Sequence, residues 1–479
     1  MKRTSLFRKL TAMLLVAVLT VCAVSSALAC TTFIVGSEVS KDGSHFIGRT
    51  GDAPYLWSAS VRRVPGRDDA QPLHYTDNDT GLAIDLPAKA YSCLITPLHG
   101  EYIAENTWWE NGVNEMNVGI SSTETINTND QILAVDPFVE GALSEGNIPV
   151  LVLPYISTAR EGAERVMDLV HTYGMGSAEA VIFIDENEIW YVELYSGHQC
   201  AAYRIPENTY ACIGNDAMLG LYDKDDTENW MATPEIVETA KAAGTYVEED
   251  GKINLALSYG TPKRDYSQLR VWAGRRYFNP GTAGEYNVNR QYEICAEPEM
   301  KIGLDDMFRL SRDRHEGTPQ ATDLPGSNCR PIGIDRTAES IFIQMKKGEI
   351  PMMWCSLCAP EFSLYVPMRA DATEIPAVMA NEATTYAPDS IYWQQRNIMN
   401  IAATDREAYS DLVRVPFTEL EQQWIARLAE LRAADPDAAL ADVINEAEAA
   451  INSVTASLIT RMAEIAVANT KNLGKDQAK

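Results

Sequence analysis

The feature that most constrains this chain is the position of Cys30. Residues 2–9 carry four basic side chains, residues 10–24 form an apolar run, and Ala27-Leu28-Ala29 has the small residues of a signal-peptidase site. Cleavage after Ala29 would make Cys30 the first residue of the mature chain. A terminal cysteine offers a thiol and a free α-amine on one residue, so it can act as nucleophile and base together. We therefore predict a removed signal peptide at residues 1–29 and a secreted, extracytoplasmic protein.

Two other interpretations of this segment stay open. A cysteine after a signal core is also where bacterial lipoproteins are acylated, although that motif prefers Leu at the position held by Ala27. Cleavage could also fall elsewhere, which would leave Cys30 as an ordinary strand residue. The apolar run is shorter than the roughly 20 residues that a spanning helix needs, so we predict no stable membrane span.

Composition excludes several classes of partner and cofactor. Of the 479 residues, 46% are hydrophobic, so the chain can build a large core. The net charge of −27 becomes more negative once the basic leader is removed, which argues against nucleic acid or an anionic membrane as a partner. The nine cysteines and six histidines show no ligand spacing typical of zinc, so we predict no metal and no cofactor. Disulfide pairing cannot be deduced from the spacing.

The periodicity of the chain predicts a mixture of hairpins and helices, which is an α+β pattern. A capping box at Thr158–Glu161 predicts the start of one helix, and a second at Thr418–Glu421 predicts the start of another. A break at 435–437 separates this second helix from a long final helix. Residues 472–479 are predicted to be a frayed tail. The predicted strands are residues 30–36, 45–50, 113–121, 180–184, 189–195, 200–205 and 210–213.

Several separated segments resemble one family in their order and spacing. Residues 30–36 and 48–52 resemble the start of the N-terminal-nucleophile dipeptidases of peptidase family C69, which are related to penicillin V acylases and bile-salt hydrolases. Residues 312–319 resemble a signature of the dipeptidase branch, with Arg314 where that branch usually has His. Further similarity lies in residues 112–124, 266–270, 354–367 and 386–396.

The resemblance implies a four-layer αββα sandwich with a C-terminal helical extension. It divides the chain into the signal peptide, a catalytic domain at residues 30–410 and a helical segment at 411–479 that packs on it. It also implies a secreted cysteine dipeptidase that cleaves small peptides through an acyl-enzyme on Cys30, and relatives of this kind are often homo-oligomers. Two alternatives stay open: an amidase or acylase acting on N-acyl amino acids, bile-salt conjugates or penicillin-like amides, and a non-catalytic surface lipoprotein or peptide-binding protein.

The same resemblance implies roles for particular residues. Arg49 would lie beside the sulfur and favour the thiolate. Asp52 would bind and orient the α-ammonium of Cys30, and Asn215 would donate to the oxyanion of the tetrahedral intermediate. Arg270 would complete the polar network around Cys30.

Each of these residues also has an ordinary structural interpretation. Surface ion pairs would explain the two arginines, and a turn would explain Asp52 and Asn215. Glu124 lies near a substrate-side position of the acylase relatives, where an acidic residue would meet the free ammonium of a dipeptide. His315 is interpreted as structural, because the terminal amine already supplies a base.

Overall fold

The computed structural model of the protein describes residues 30–53, 57–100, 103, 107–123 and 126–476. The predicted signal peptide and Glu124 lie outside the described residues. Two antiparallel sheets form the centre of the fold. The six strands of the first sheet are β1 (Thr31–Val35), β2 (His45–Asp52), β16 (Tyr210–Ile213), β20 (Thr337–Met345), β21 (Met352–Ser356) and β22 (Val366–Arg369).

The second sheet has eight strands, and four short two-stranded ribbons lie outside both sheets. The eight are β4 (Arg62–Val64), β9 (Cys93–Thr96), β11 (Asn111–Asn114), β12 (Gly119–Thr123), β13 (Glu179–Ile184), β14 (Ile189–Leu194), β15 (Cys200–Arg204) and β17 (Trp230–Ala232). The ribbons pair β3 (Ser58–Ala59) with β10 (Leu98–His99), β5 (Arg67–Asp68) with β8 (Lys89–Ala90), β6 (Leu73–Thr76) with β7 (Ala83–Leu86), and β18 (Glu248–Glu249) with β19 (Lys252–Ile253).

The strand order is β16-β1-β2-β20-β21-β22 in the six-stranded sheet and β17-β15-β14-β13-β12-β11-β9-β4 in the eight-stranded sheet. The sheets face each other, since β12 and β13 lie against β2. Their approach is close at Gly119, where an added Cβ would stand 2.7 Å from Ile184 Cγ2 and 3.3 Å from Ile343 Cγ2 of the facing sheet. Burial of the side chains between the sheets supplies much of the core.

Helices cover the outer faces of both sheets. They are α1 (Asp130–Val135), α2 (Ile148–Val152), α3 (Ala159–Tyr173), α4 (Ile236–Ala243), α5 (Leu255–Tyr259), α6 (Asp265–Phe278), α7 (Leu304–Ser311), α8 (Ala377–Ala380), α9 (Ile391–Ala402), α10 (Arg406–Ala426), α11 (Leu428–Ala433) and α12 (Pro436–Asp476). Helix α3 packs on β13, β14 and β15, whereas α6 packs on β16 and α12 on β22. The predicted four-layer αββα sandwich with C-terminal helices is therefore confirmed.

Most predicted elements are present, and the strand predicted at residues 113–121 is wrong. That stretch is the hairpin of β11 and β12, with Asn117 in the left-handed region at φ 58°. The side-chain oxygen of Asn114 accepts from the backbone N–H groups of Met116 and Val118, both at 3.0 Å, which closes the turn. Asn is one of the few residues that tolerates this conformation, so the turn needs no glycine.

The helix start predicted at Thr418 is also wrong. Helix α10 is capped by Asp405, whose side chain accepts a hydrogen bond from Ala408 N at 3.1 Å. The helix then continues to Ala426 and contains both Pro416 and residue 410, the predicted end of the catalytic domain. The Thr-x-x-Glu pattern is misleading because Glu421 does not cap a helix end; it is buried and pairs with Arg312. The long final helix is present, but it begins at Pro436, inside the predicted break at 435–437. It continues as far as Asp476, into the stretch predicted to be a frayed tail.

Candidate active site

Cys30 stands directly before β1 and is fully buried. In the β1–β2 register Thr32 lies opposite Arg49. Because alternate residues share a face of a strand, Cys30 and Thr32 point the same way, and the Arg49 side chain shares that face, between the sheets. Arg49 Nη2 donates to Cys30 Sγ at 3.0 Å. The structure thus places Arg49 beside the sulfur, and its catalytic role stays a prediction.

Three buried carboxylates surround Arg49, and the sequence analysis did not find them. Arg49 Nη2 also donates to Glu145 Oε1 at 3.2 Å, and Nη1 forms an ion pair with Glu110. Glu339 lies within electrostatic reach of the same guanidinium and accepts from Asn111 Nδ2 at 2.6 Å. The sequence signal that could have revealed this cluster is Glu339, which lies inside the buried strand β20. A charged residue is rarely fully buried unless it is paired, so a partner such as Arg49 would be expected nearby.

Burial makes the sulfur of Cys30 a weak acid. It raises the pKa of Cys30 to about 12, against the lowering effect of Arg49, while the charges of Glu145, Asp52 and Glu110 raise it further. Arg49 therefore acts in the predicted direction, but burial and the carboxylates outweigh it. With Ala29 attached, the nitrogen of Cys30 is a peptide amide, so the α-ammonium that cleavage would create does not contribute here.

The backbone of Cys30 is held from the other face of the sheet by Arg270. This residue lies on α6, which covers the outer face, and its Nη1 donates to Cys30 O at 2.5 Å and to Thr31 Oγ1 at 3.0 Å. Its Nε donates to Tyr266 O at 3.0 Å, one turn earlier in the helix. The structure thus places Arg270 at the backbone of Cys30, and its role in the reaction stays a prediction.

Asn215 reaches Cys30 through the register of β16. Ile213 lies opposite Thr32, so continuing the antiparallel pair by two residues brings Asn215 beside Cys30. Arg270 Nη2 donates to Asn215 Oδ1 at 2.5 Å. A guanidinium only donates, so this bond fixes the oxygen of the amide toward Arg270 and determines where its NH2 group lies. The oxyanion role of Asn215 stays a prediction.

Asp52 ends β2 at a bulge in its pairing with β20. Thr337 Oγ1 donates to Asp52 Oδ1 at 2.5 Å, and Arg330 Nη2 forms an ion pair with Oδ2. Burial raises the pKa of Asp52, whereas Arg330 and Thr337 lower it. Asp52 belongs to the charges that act on the Cys30 thiol. Its predicted bond to the Cys30 amine stays a prediction, and Arg330 is a partner that the sequence analysis missed.

The segment at residues 312–319 contacts the backbone of Arg330. His315, fully buried, bonds through Nε2 to the carbonyl oxygen of Arg330 at 2.8 Å. Arg312 pairs with Glu421 of α10, and Arg314 with Asp323. The segment therefore joins the C-terminal helices to the residue that holds Asp52, and His315 has the structural environment that we expected of it.

Other polar side chains of the described residues do not suggest a bound metal. No group of three or more His, Cys, Asp or Glu side chains in this part of the chain has an arrangement that could hold a metal ion. The eight cysteines from Cys30 onward are all free thiols, including Cys355 and Cys358, which lie three positions apart. The described helices include none with the length and apolar character needed to cross a membrane.

The αββα sandwich thus brings a buried thiol, two arginines and an asparagine together where β1 begins beside the end of β16. The sequence profile of Peptidase family C69 matches residues 29–416. The chain belongs to this family and is a hydrolase.

Two relatives of this chain are named as probable dipeptidases, and one solved structure is also similar to it. "Probable dipeptidase B" of Streptococcus pyogenes serotype M6 is 30% identical over 448 residues, which cover 87% of this chain and 88% of that protein. "Probable dipeptidase A" of serotype M3 is 28% identical and covers 78% and 83%. A solved variant of conjugated bile acid hydrolase from Clostridium perfringens is similar over 68% of this chain and 88% of its own, at 14% identity and a TM-score of 0.31.

Proposed function

We propose that this protein is an exported dipeptidase whose mature chain begins at Cys30 and that it cleaves dipeptides through a thioester on that residue. One observation carries the proposal: the residue that follows the predicted cleavage site is held at both its sulfur, by Arg49, and its carbonyl, by Arg270. The names of the C69 relatives, probable dipeptidases A and B, support the choice of substrate. A homo-oligomeric state remains an expectation from the family resemblance.

The proposed reaction uses the residues around Cys30 in turn. The neutral α-amine takes the thiol proton, and Sγ attacks the peptide carbonyl carbon. The amide of Asn215 donates to the resulting oxyanion. The ammonium then gives its proton to the departing amine, the C–N bond breaks, and a thioester remains. Water attacks the thioester with the amine as base, which releases the free acid and restores the thiol.

This mechanism gives the leader a second role as a block on activity. In the uncut chain the nitrogen of Cys30 is an amide and cannot accept the thiol proton, and the thiol pKa is raised by burial. Cleavage would turn the nitrogen of Cys30 itself, three covalent bonds from Sγ, into an ammonium group, and a nearby cation lowers the pKa of a thiol. Asp52, oriented by Arg330 and Thr337, would hold that ammonium.

Activity of differently processed chains tests the proposal. A chain expressed with Met directly before Cys30, and freed of that Met, should hydrolyse dipeptides without export. The full chain carrying Ala29→Lys, which removes the small residue at the cleavage site, should fold and remain inactive. Cys30→Ser should retain about 1% of the activity or less, since a hydroxyl is a weaker nucleophile at the same pH. Equal activity of cut and uncut chains would overturn the mechanism, and cleavage of N-acyl amino acids alone would favour the acylase alternative.

A further inference from the structure

Arg264 is a cation that lies beside the candidate oxyanion donor, Asn215. It directly precedes α6, and its Nη2 donates to Asn215 O at 2.9 Å. The same helix holds the rest of Asn215. Ser267 Oγ accepts from the backbone N–H of Asn215 at 3.1 Å, and Arg270 Nη2 bonds its side-chain oxygen. The first turns of α6 therefore fix the guanidinium of Arg264 relative to the residue that is proposed to bind the oxyanion.

We propose that Arg264 binds the C-terminal carboxylate of the substrate and thereby selects substrates with a single residue after the scissile bond, as in a dipeptide. This inference rests on the proposed function and names the residue that recognises the leaving side of the substrate.

Arg264 has free hydrogen-bond donors that solvent can reach. Its side chain is 42% exposed, so a carboxylate can approach it without any opening of the fold. Its Nε and Nη1 have no hydrogen-bond partner among the described residues. The two arginines that contact Cys30 cannot serve in the same way. Arg49 is buried, and Arg270 is already bonded through all three of its nitrogens.

The nearby carboxylate of Asp216 does not satisfy Arg264. Its Oδ1 lies 3.5 Å from Arg264 Nη2, whereas a charge-assisted hydrogen bond is typically about 2.7–2.9 Å long. Its Oδ2 accepts from Gln268 Nε2 at 3.3 Å. The carbonyl oxygen of Asn215 has a second donor, Asn127 Nδ2 at 2.8 Å, so it does not depend on Arg264 alone. A purely structural role therefore leaves most of the guanidinium unused.

The covalent geometry of a dipeptide brings its carboxylate close to this guanidinium. The carboxylate carbon is three covalent bonds from the carbonyl carbon that Sγ attacks, a span of less than about 4 Å. The oxyanion formed on that carbonyl would lie at the side chain of Asn215, and Arg264 is bonded to the backbone oxygen of the same residue. A further residue would move the carboxylate by about 3.5 Å, which a guanidinium held at Asn215 cannot follow.

Neighbouring positive charge also favours an anion here. The ring of Tyr266 lies among three guanidinium groups, whose Cζ atoms are 6.0, 5.1 and 4.9 Å from its centroid: Arg264, Arg270 and Arg330. Asp52 forms an ion pair with one of them, Arg330. Burial and the charge of Arg330 lower the pKa of Arg270 to about 9. An anion bound at Arg264 would offset this repulsion, because an opposite charge nearby stabilises a cation.

The proposal has consequences for substrate class and for inhibition. A peptide amide lacks the charge that Arg264 recognises, and a longer peptide carries it too far from the scissile bond. The amino acid that is released first keeps the carboxylate, so it should compete with the dipeptide for Arg264.

A comparison of two substrates in the mature enzyme tests the assignment. The substrates are alanyl-leucine and alanyl-leucinamide, which differ only in the C-terminal group. In the unaltered enzyme, replacing the carboxylate by the amide should lower kcat/KM about 10- to 100-fold, as for loss of a hydrogen bond to a charged group. In Arg264→Gln, activity on alanyl-leucine should fall by a similar factor, activity on alanyl-leucinamide should change little, and the preference should shrink to a few-fold.

Lys263→Gln is the matched control, because it removes a positive charge one residue away, whose Nζ is bonded to Ala217 O at 2.9 Å. It should alter both substrates by the same factor and keep the preference. Loss of the preference in this control would show a general effect of charge and overturn the assignment. Arg264→Lys, which keeps the charge, should retain part of the preference, and this variant serves if Arg264→Gln does not fold.

Two further outcomes distinguish this assignment from the proposed function. An equal loss on both substrates in Arg264→Gln would show that Arg264 only positions Asn215, and it would overturn the assignment while leaving the dipeptidase proposal intact. An unaltered enzyme that cleaves both substrates equally well would have the same meaning. Failure of the unaltered mature enzyme to cleave alanyl-leucine would instead contradict the proposed function.

Discussion

Arg270 Nη1 donates a 2.5 Å hydrogen bond to the carbonyl oxygen of Cys30, while its Nη2 holds Asn215 Oδ1 at 2.5 Å. One guanidinium thus fixes the candidate nucleophile and the candidate oxyanion donor relative to each other. The two bonds come from two different nitrogens of a planar group whose donors have a fixed arrangement, which a lysine ammonium does not offer. The pair formed by Cys30 and Asn215 therefore depends on Arg270 for its geometry.

We expect Arg270→Lys to lower kcat by about 100-fold with little change in KM, because a single ammonium cannot span both acceptors and an oxyanion donor is worth a factor of this size. Steady-state kinetics of the mature enzyme on a dipeptide would measure it. Arg275→Lys, at a buried arginine further along α6 whose Nη2 donates to Glu293 O, is the control and should leave kcat within a few-fold. An equal loss in both variants would indicate a general effect on the helix.

Arg330→Gln should change the pH dependence of the reaction as well as its rate. Arg330 orients Asp52, which is proposed to stabilise the ammonium form of the Cys30 amine. A misplaced Asp52 stabilises that cation less, so the pKa of the amine falls and the acidic limb of kcat/KM moves to lower pH. Profiles of kcat/KM against pH would show the shift. Arg314→Gln, which breaks a pair with Asp323 instead, should reduce stability without moving the limb.

Glu339→Gln should make the stability of the fold less dependent on pH. The pKa of Glu339 is raised to about 8 by burial and by Glu110, so the folded state keeps a proton that the unfolded state releases. Its stabilising contribution is complete below the unfolded value of about 4.3 and is lost as the pH rises through the folded value, by up to about 1.4 kcal/mol per pH unit. Urea unfolding at several pH values should show a smaller decline in the variant. A decline equal to that of the unaltered protein would contradict the buried proton.

Gly48→Ala should destabilise the protein and disturb Arg49, its neighbour in β2. An added Cβ would clash with the ring of Phe342 and stand 2.8 Å from the carbonyl oxygen of Ile341, both in the paired strand β20. Overpacking of this kind costs about 1–3 kcal/mol. Chemical unfolding measures the loss, and a variant as stable as the original would show that β20 can move aside.

The hairpin that joins Cys30 to Arg49 could be predicted from sequence because its determinants are local: β-branched residues in the predicted strand at 30–36, and the turn residues Asp42-Gly43 before the predicted strand at 45–50. The family resemblance added Asn215 and Arg270, which no local pattern would bring to Cys30. The carboxylates around Arg49 and the pair of Asp52 with Arg330 escaped prediction, since they depend on how the two sheets face each other. The helix start predicted at Thr418 is wrong for the opposite reason. The local capping pattern is present in the sequence, but in the folded protein Glu421 forms an ion pair with Arg312 and does not cap a helix.

The central claim is that a free, N-terminal Cys30 is the nucleophile. The most direct test is the intact mass and N-terminal sequence of the protein recovered from the export compartment, measured on the sample used for dipeptide hydrolysis. We predict a chain that begins at an unmodified Cys30 and is active. An active chain that begins elsewhere, or one that carries a lipid on Cys30, would contradict the claim.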